Sequence, residues 1–218
     1  MAAELILVGV GHVFDIGNKI EEIIEKEMPD GIALELDVGR ALALQSSEKR
    51  RKYPNFLYSL LAKLQDNIAK KFGNAAGSEM LAAINKAKEL GIPVFYIDIN
   101  AEEIIKQLWQ NLSLRKKISI LFSIFLSLFM RKEKIEKEVE KFQEDVDYFM
   151  KKMEENFPEI KEVVIDKRNL HMAKRLGEIL KEKGKVIAIV GEGHIEGLKN
   201  LLGKEEIELR IIHLKNIM

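Results

Sequence analysis

The sequence predicts an α/β fold, a mainly parallel sheet flanked by helices, carrying a long helical insertion. Three observations predict it. Leu5-Ile6-Leu7-Val8, Ile32-Ala33-Leu34-Glu35-Leu36 and Val186-Ile187-Ala188-Ile189-Val190 are continuous apolar runs next to glycine or turn residues, the mark of strands buried on both faces. Helical patterns separate these runs, as β-α-β units require. Between about residues 101 and 158 the alternation stops and only helical patterns remain, which defines the insertion.

The first strand runs into Gly9-Val10-Gly11-His12, and the same device returns as Gly191-Glu192-Gly193-His194 after the strand at Val186. Each His should stand just past the carboxyl end of a strand, the edge where open parallel sheets collect ligands. Neither copy completes G-x-G-x-x-G, since Phe14 and Glu196 take the last glycine's place, so a dinucleotide site is disfavoured. Gly17 to Met28 is helical, with Ile20, Ile23 and Ile24 at helical spacing, and stops at Pro29-Asp30-Gly31. After the strand at Ile32, Asp37 caps a helix that carries Arg40. Tyr53 to Phe72 reads as a helix, and another runs from Ser78, capped by its hydroxyl, to Leu90. A third strand spans Ile92 to Asp98, and Asn100 caps the helix that opens the insertion. The sheet is expected to resume after Pro158, where Lys161 to Ile165 leads to Asp166-Lys167-Arg168-Asn169 and a helix from Leu170 to Lys183. A short helix at Ile195 to Leu202 and a last strand at Ile207 to Leu214 complete a single domain over residues 1–218.

Lys and Arg total 35 and balance 35 Asp and Glu, so overall charge gives no support to a nucleic-acid partner. The absence of cysteine excludes disulfides, thiolate metal sites and a cysteine nucleophile. A charged fraction of 32%, mostly Lys and Glu, suits ion-pair networks and suggests a thermophilic source. With no basic n-region and apolar h-region at the start, a cytoplasmic location is expected.

Glu35 stands in an apolar run, where a carboxylate is expensive unless it is paired, hydrogen-bonded or bound to metal. Arg40, on the next helical turn, is its expected ion-pair partner if the acid is structural. His12, His194 and Glu35 together form a candidate open site for a divalent metal, Mn²⁺, Co²⁺ or Zn²⁺. The same groups permit metal-free chemistry, with a His base activating water while Arg40 or Arg168 stabilises an oxyanion. Gly9, Gly11, Gly191 and Gly193 would let a ligand approach the backbone. Glu79, in a first helical turn, and Asp98, at the end of the third strand, are further candidates for substrate binding. His171 and His213 read as structural.

These residues resemble the TraB/PrgY family, within the wider Tiki, erythromycin-esterase-like and ChaN-like superfamily, whose hallmark is a pair of G-x-x-H motifs. The likeness extends to Pro29-Asp30 before Glu35-Leu36 and Arg40, to Gly77-Ser78-Glu79-Met80, to Ile97-Asp98, and to Arg168-Asn169 before a helix. It implies an α/β fold with a helical insertion. It also implies chemistry from a varied set, since relatives include metal-dependent peptidases, a metal-free lactone-cleaving esterase, a haem-binding protein and pheromone-shutdown factors. The expectation is a metal-dependent hydrolase, a peptidase acting on peptides or peptide signals, with His12, His194, Glu35, Arg40 and Arg168 as its catalytic set. The competing expectation is a regulatory module that sequesters a peptide or small anionic ligand at the same edge, where helix N-termini favour anions.

Ile118 to Met130 is apolar all round apart from Ser119, Ser123 and Ser127. Thirteen residues are too few to cross a bilayer, which takes about 20. A homodimer that buries this segment through the helical insertion is expected, with shallow membrane contact and packing on neighbouring helices of the same chain as the alternatives.

Overall fold

The computed structural model describes residues 3–11, 15–46, 77–119, 145–203 and 206–218. Strands β1 (Ala3–Val10), β2 (Gly31–Leu34), β3 (Val94–Tyr96), β4 (Lys185–Gly191) and β5 (Ile207–Ile212) form a sheet in the order β3-β2-β4-β1-β5. Every pairing in it is parallel. Helices α1 (Gly17–Glu27), α2 (Val38–Gln45), α3 (Ser78–Leu90), α4 (Ala101–Asn111), α5 (Val146–Asn156), α6 (Lys167–Glu182) and α7 (Ile195–Leu202) complete the described elements used below.

Two-residue alternation builds two cores from the same strands. Ile6, Val8, Ile32, Leu34, Ile187 and Ile189 meet Ile20 and Ile24 of α1 and Met80, Ala83 and Ala87 of α3 on one face. Leu5, Leu7, Ala33, Val186, Ala188 and Val190 meet Met172 and Leu176 of α6 and Ile195 and Leu198 of α7 on the other. The expected burial on both faces is present, since Leu5, Ile6, Leu7 and Val8 have no exposed surface.

Sheet order positions the site. β4 lies between β1 and β2, with Val10 paired to Gly191, so the two glycine turns emerge side by side. The helix after β1 covers one face and the helix after β4 covers the other. Adjacent parallel strands whose following helices depart to opposite faces open a crevice at their carboxyl ends.

Local chemistry accounts for most element ends. Asp37 caps α2 by accepting from Arg40 N at 2.9 Å, and Asn100 caps α4 by accepting from Glu102 N at 2.9 Å and Glu103 N at 3.3 Å. The expected Ser78 cap is not made. The capping position falls on Gly77, whose φ of +82° only glycine adopts readily, and Ser78 is already the first helical residue. Lys161 to Ile165 does not rejoin the sheet, which resumes at Lys185. Pro158 opens a helical turn to Lys161, as proline favours at a first helical position. A π-helical turn over Glu162–Asp166 then leads into α6.

The expected helix at Tyr53 to Phe72 lies outside the described residues. So does Ile118–Met130 apart from its first two residues, and with it the expected homodimer and membrane contacts. No helix among the described residues is long and apolar enough to cross a membrane.

The edge of the sheet opposite the glycine turns carries an ion network. Glu27 accepts from Lys185 Nζ at 2.8 Å and meets Arg210 Nη2 at 2.5 Å, while Glu4 lies 3.4 Å from each of the same cations. Hydrogen bonds from Arg210 and Lys185 hold the Glu27 carboxyl down to about 2. A carboxylate with a depressed folded-state pKa stabilises the fold above its unfolded value, about 4.5, and loses that contribution as pH falls toward 2. Glu27→Gln is therefore expected to be about 1 kcal/mol less stable at pH 7. The gap to the parent should close between roughly pH 4.5 and 2, as read by urea unfolding across that range. A gap that persists at pH 2 would mean that packing, not charge, is responsible.

Candidate functional site

Glu35 follows the last residue of β2, and alternation turns it to the face of Ala33, which α6 covers. It is 3% exposed. Its Oε2 accepts from Gly191 N at 2.5 Å, which ties β2 to the second glycine turn, and its Oε1 accepts from Arg168 Nη2. The same guanidinium grips Asp98, with Nε to Oδ1 at 2.9 Å and Nη2 to Oδ2 at 2.8 Å, and Nη1 donates to Val164 O at 3.1 Å. Burial alone would lower the Arg168 pKa, but the adjoining Glu35 and Asp98 carboxylates outweigh it and raise the value. Arg168 thus acts mainly as a clamp on two buried acids.

Arg40 is not the partner of Glu35. Its Nη1 donates to Asp98 Oδ2 at 3.2 Å, its side chain is 29% exposed, and its remaining donors have no partner among the described residues. Asp98 also accepts from Ile99 N at 2.8 Å.

His194 ends a short 3₁₀ turn after β4 and is buried. Asn169 Oδ1 lies 2.7 Å from its Nδ1, an arrangement that places the proton on Nδ1 and the lone pair on Nε2. That Nε2 lies 3.3 Å from Glu35 Oε1. Two acceptors this close require a cation or a proton between them. The spacing is also the separation of two ligands of one ion, since bonds of about 2.0–2.1 Å at a tetrahedral angle put their donor atoms about 3.3 Å apart. The Asn169 contact is the outer-shell hydrogen bond that metal-ligating histidines usually make. His194 and Glu35 therefore fit a metal, with Arg168 on the same Glu35 oxygen as a competing cation. No three His, Asp or Glu side chains converge as a ligand set among the described residues. His12, the third expected ligand, lies outside them.

The glycines have separate reasons. A Cβ at Gly9 would collide with Glu192 Oε2 and lie 2.9 Å from its Cδ, so the first motif's glycine makes room for the second motif's glutamate. Gly11 lies just past β1, and Gly193 sits beneath Met150 of α5. Glu79 is buried in the first turn of α3, whose apolar side packs on the other face of the sheet.

Asn169, Gly197, Glu192 and His213 were missed as site residues. Asn169 shares the buried face of α6 with Met172, Ala173 and Leu176, and a polar residue at that helical spacing was the available signal. Gly197 admits it, because a Cβ there would collide with Asn169 Nδ2. Glu192 accepts from Leu214 N at 2.8 Å and pairs with His213 Nδ1 at 2.6 Å, so His213 belongs to a polar pair at the same edge.

The model of the TraB/PrgY/gumN family matches residues 2–210. The chain belongs to the TraB/PrgY/gumN family. A member from Methanocaldococcus jannaschii, named uncharacterized protein MJ1365, is 34% identical over 215 residues, covering 93% of this chain and 54% of the relative. The chain thus spans about half the length of that relative. The family match takes in both glycine turns, strands β1 to β4 and the start of β5.

Proposed function

We propose that this TraB/PrgY/gumN chain is a hydrolase, a metal-dependent peptidase that works at the carboxyl edge of β2, β4 and β1. The observation that carries the reading is the 3.3 Å approach of His194 Nε2 to Glu35 Oε1, with Asn169 fixing the other ring nitrogen. His194 and Glu35, with His12 from the twin motif, would hold Zn²⁺, Mn²⁺ or Co²⁺. The ion would supply a Lewis acid that polarises the scissile carbonyl. Arg168 and Gly191 N hold the Glu35 carboxylate in place, and Asn169 holds the proton on His194 Nδ1. Arg40 presents its open donors to a substrate carboxylate or to the developing oxyanion.

Metal uptake measured by calorimetry, with cleavage of a mixed peptide library in Mn²⁺ or Co²⁺, tests this. Parent protein should bind an ion and cut, while His194→Ala and Glu35→Gln should each lose at least about 100-fold in activity. Equal cleavage by parent and variants would defeat the proposal. The second reading is a module that holds a peptide or small anion without turnover. It is favoured by Arg168, which already neutralises Glu35, and by the open donors of Arg40. Recovery of a stabilising ligand intact would favour it.

A further inference from the structure

The Glu192–His213 pair lies on the other side of the second motif from Glu35. Gly191 N reaches across to β2, whereas Glu192 reaches over Gly9 of β1 to the end of β5. One carboxylate oxygen accepts from the His213 ring and the other from the next backbone N–H, that of Leu214. This double hold fixes the imidazole and places its proton on Nδ1, leaving a lone pair on Nε2. The His213 side chain is 34% exposed, and Nε2 has no partner among the described residues.

His213 lines a cavity of about 170 Å³ between α5, the second glycine turn and the chain after β5. Two charged side chains stand at it besides the Glu192 pair and Glu196, which is tied to Lys199. Asp145 accepts from Tyr148 N through Oδ1, and its Oδ2 is unengaged among the described residues. Lys215 is exposed and likewise has no ion-pair partner among them. Val146, Met150 and Ile195 supply an apolar wall.

We propose that this cavity binds an α-amino group attached to a short apolar side chain. The ammonium donates to His213 Nε2 and Asp145 Oδ2, with the partly buried Glu192 charge behind the imidazole. The side chain lies against Val146, Met150 and Ile195. Both acceptors face a cation, because a neutral imidazole backed by a carboxylate prefers a donor and Asp145 adds charge. The volume suits one residue. Two sources share this chemistry, a free amino acid and the amino terminus of a peptide, and Lys215 separates them by reaching the carboxylate that only the former carries at that distance. The proposal does not rest on hydrolysis or on a metal.

The test uses the full chain labelled with ¹⁵N at histidine, without added metal, at about pH 8 where a free imidazole is neutral. Leucinamide, leucine and 4-methylpentanoate, which keeps the apolar body but lacks the amine, are titrated in turn. The two amines are expected to shift the His213 Nε2 resonance, and 4-methylpentanoate is not. Asp145→Asn retains the helix cap and should weaken both amines roughly tenfold. Lys215→Met should weaken leucine alone if the natural ligand is a free amino acid, and neither amine if it is a peptide terminus. His213→Ala, which lacks the reporter ring and is read by calorimetry, should abolish binding, while the Asp145→Asn result stands independently of any effect on folding. No shift by about 50 mM of either amine overturns the proposal. So do equal responses to the amine and the deaminated acid, or unchanged affinity in Asp145→Asn.

Discussion

Replacing Arg168 by alanine is expected to cost about 3–5 kcal/mol of stability, more than any other single change at the candidate site. The guanidinium holds Glu35 and Asp98, whose side chains are 4% and 1% exposed. Without it the protein keeps two buried carboxylates within one cluster, where Arg40, His194 and backbone N–H donors are the neighbours seen among the described residues. Breaking a buried pair is costly because the orphaned charge stays desolvated. For a chain of this size the melting temperature should fall on the order of 10 °C. Urea unfolding at pH 7 checks the loss. A loss under about 1 kcal/mol would show that the clamp is replaceable by water.

Gly197→Ala should have a large effect on activity of a kind that helix propensity does not predict. In the interior of α7, alanine ordinarily stabilises by up to about 1 kcal/mol over glycine. Here the added Cβ would strike Asn169 Nδ2 and lie 3.0 Å from its Cγ, driving Asn169 off His194. Loss of such an outer-shell partner typically reduces metal affinity or activity by about 10- to 100-fold, and under the proposed peptidase reading that is the expected loss in peptide cleavage. Asn169→Ala should show a similar loss. In the double variant the collision is gone, so Gly197→Ala should become neutral or stabilising in the Asn169→Ala background. Additive losses in the double variant would rule out steric transmission through Asn169.

Strands were legible in the sequence because burial on both faces leaves unbroken apolar runs, and Glu35 was legible as an acid inside one. Its partner was not. The sequence pointed to Arg40, nearby in the chain, whereas the clamp comes from Arg168, which a helix on the opposite side of the insertion delivers. Such a pairing depends on which face each helix covers, and no local pattern states that. The same reason hid the order of the sheet, because the run at Val186 reads equally well at an edge or between β1 and β2. His213 read as structural because a single imidazole at a strand end has no pattern of its own. Only the approach of Glu192 over Gly9 gives it a partner.

The position of β4 also dictates when the protein can fold. β1 pairs with β4 and β5 only, and both are made after residue 184. On the ribosome β1 therefore waits, while among the described strands β2 and β3 form the pairing then available. Long-range parallel pairing is slow because loop closure precedes any compensating contact. Until residue 185 is made, the nascent chain thus carries a largely apolar strand without its β4 and β5 partners, the condition in which chaperones engage a polypeptide.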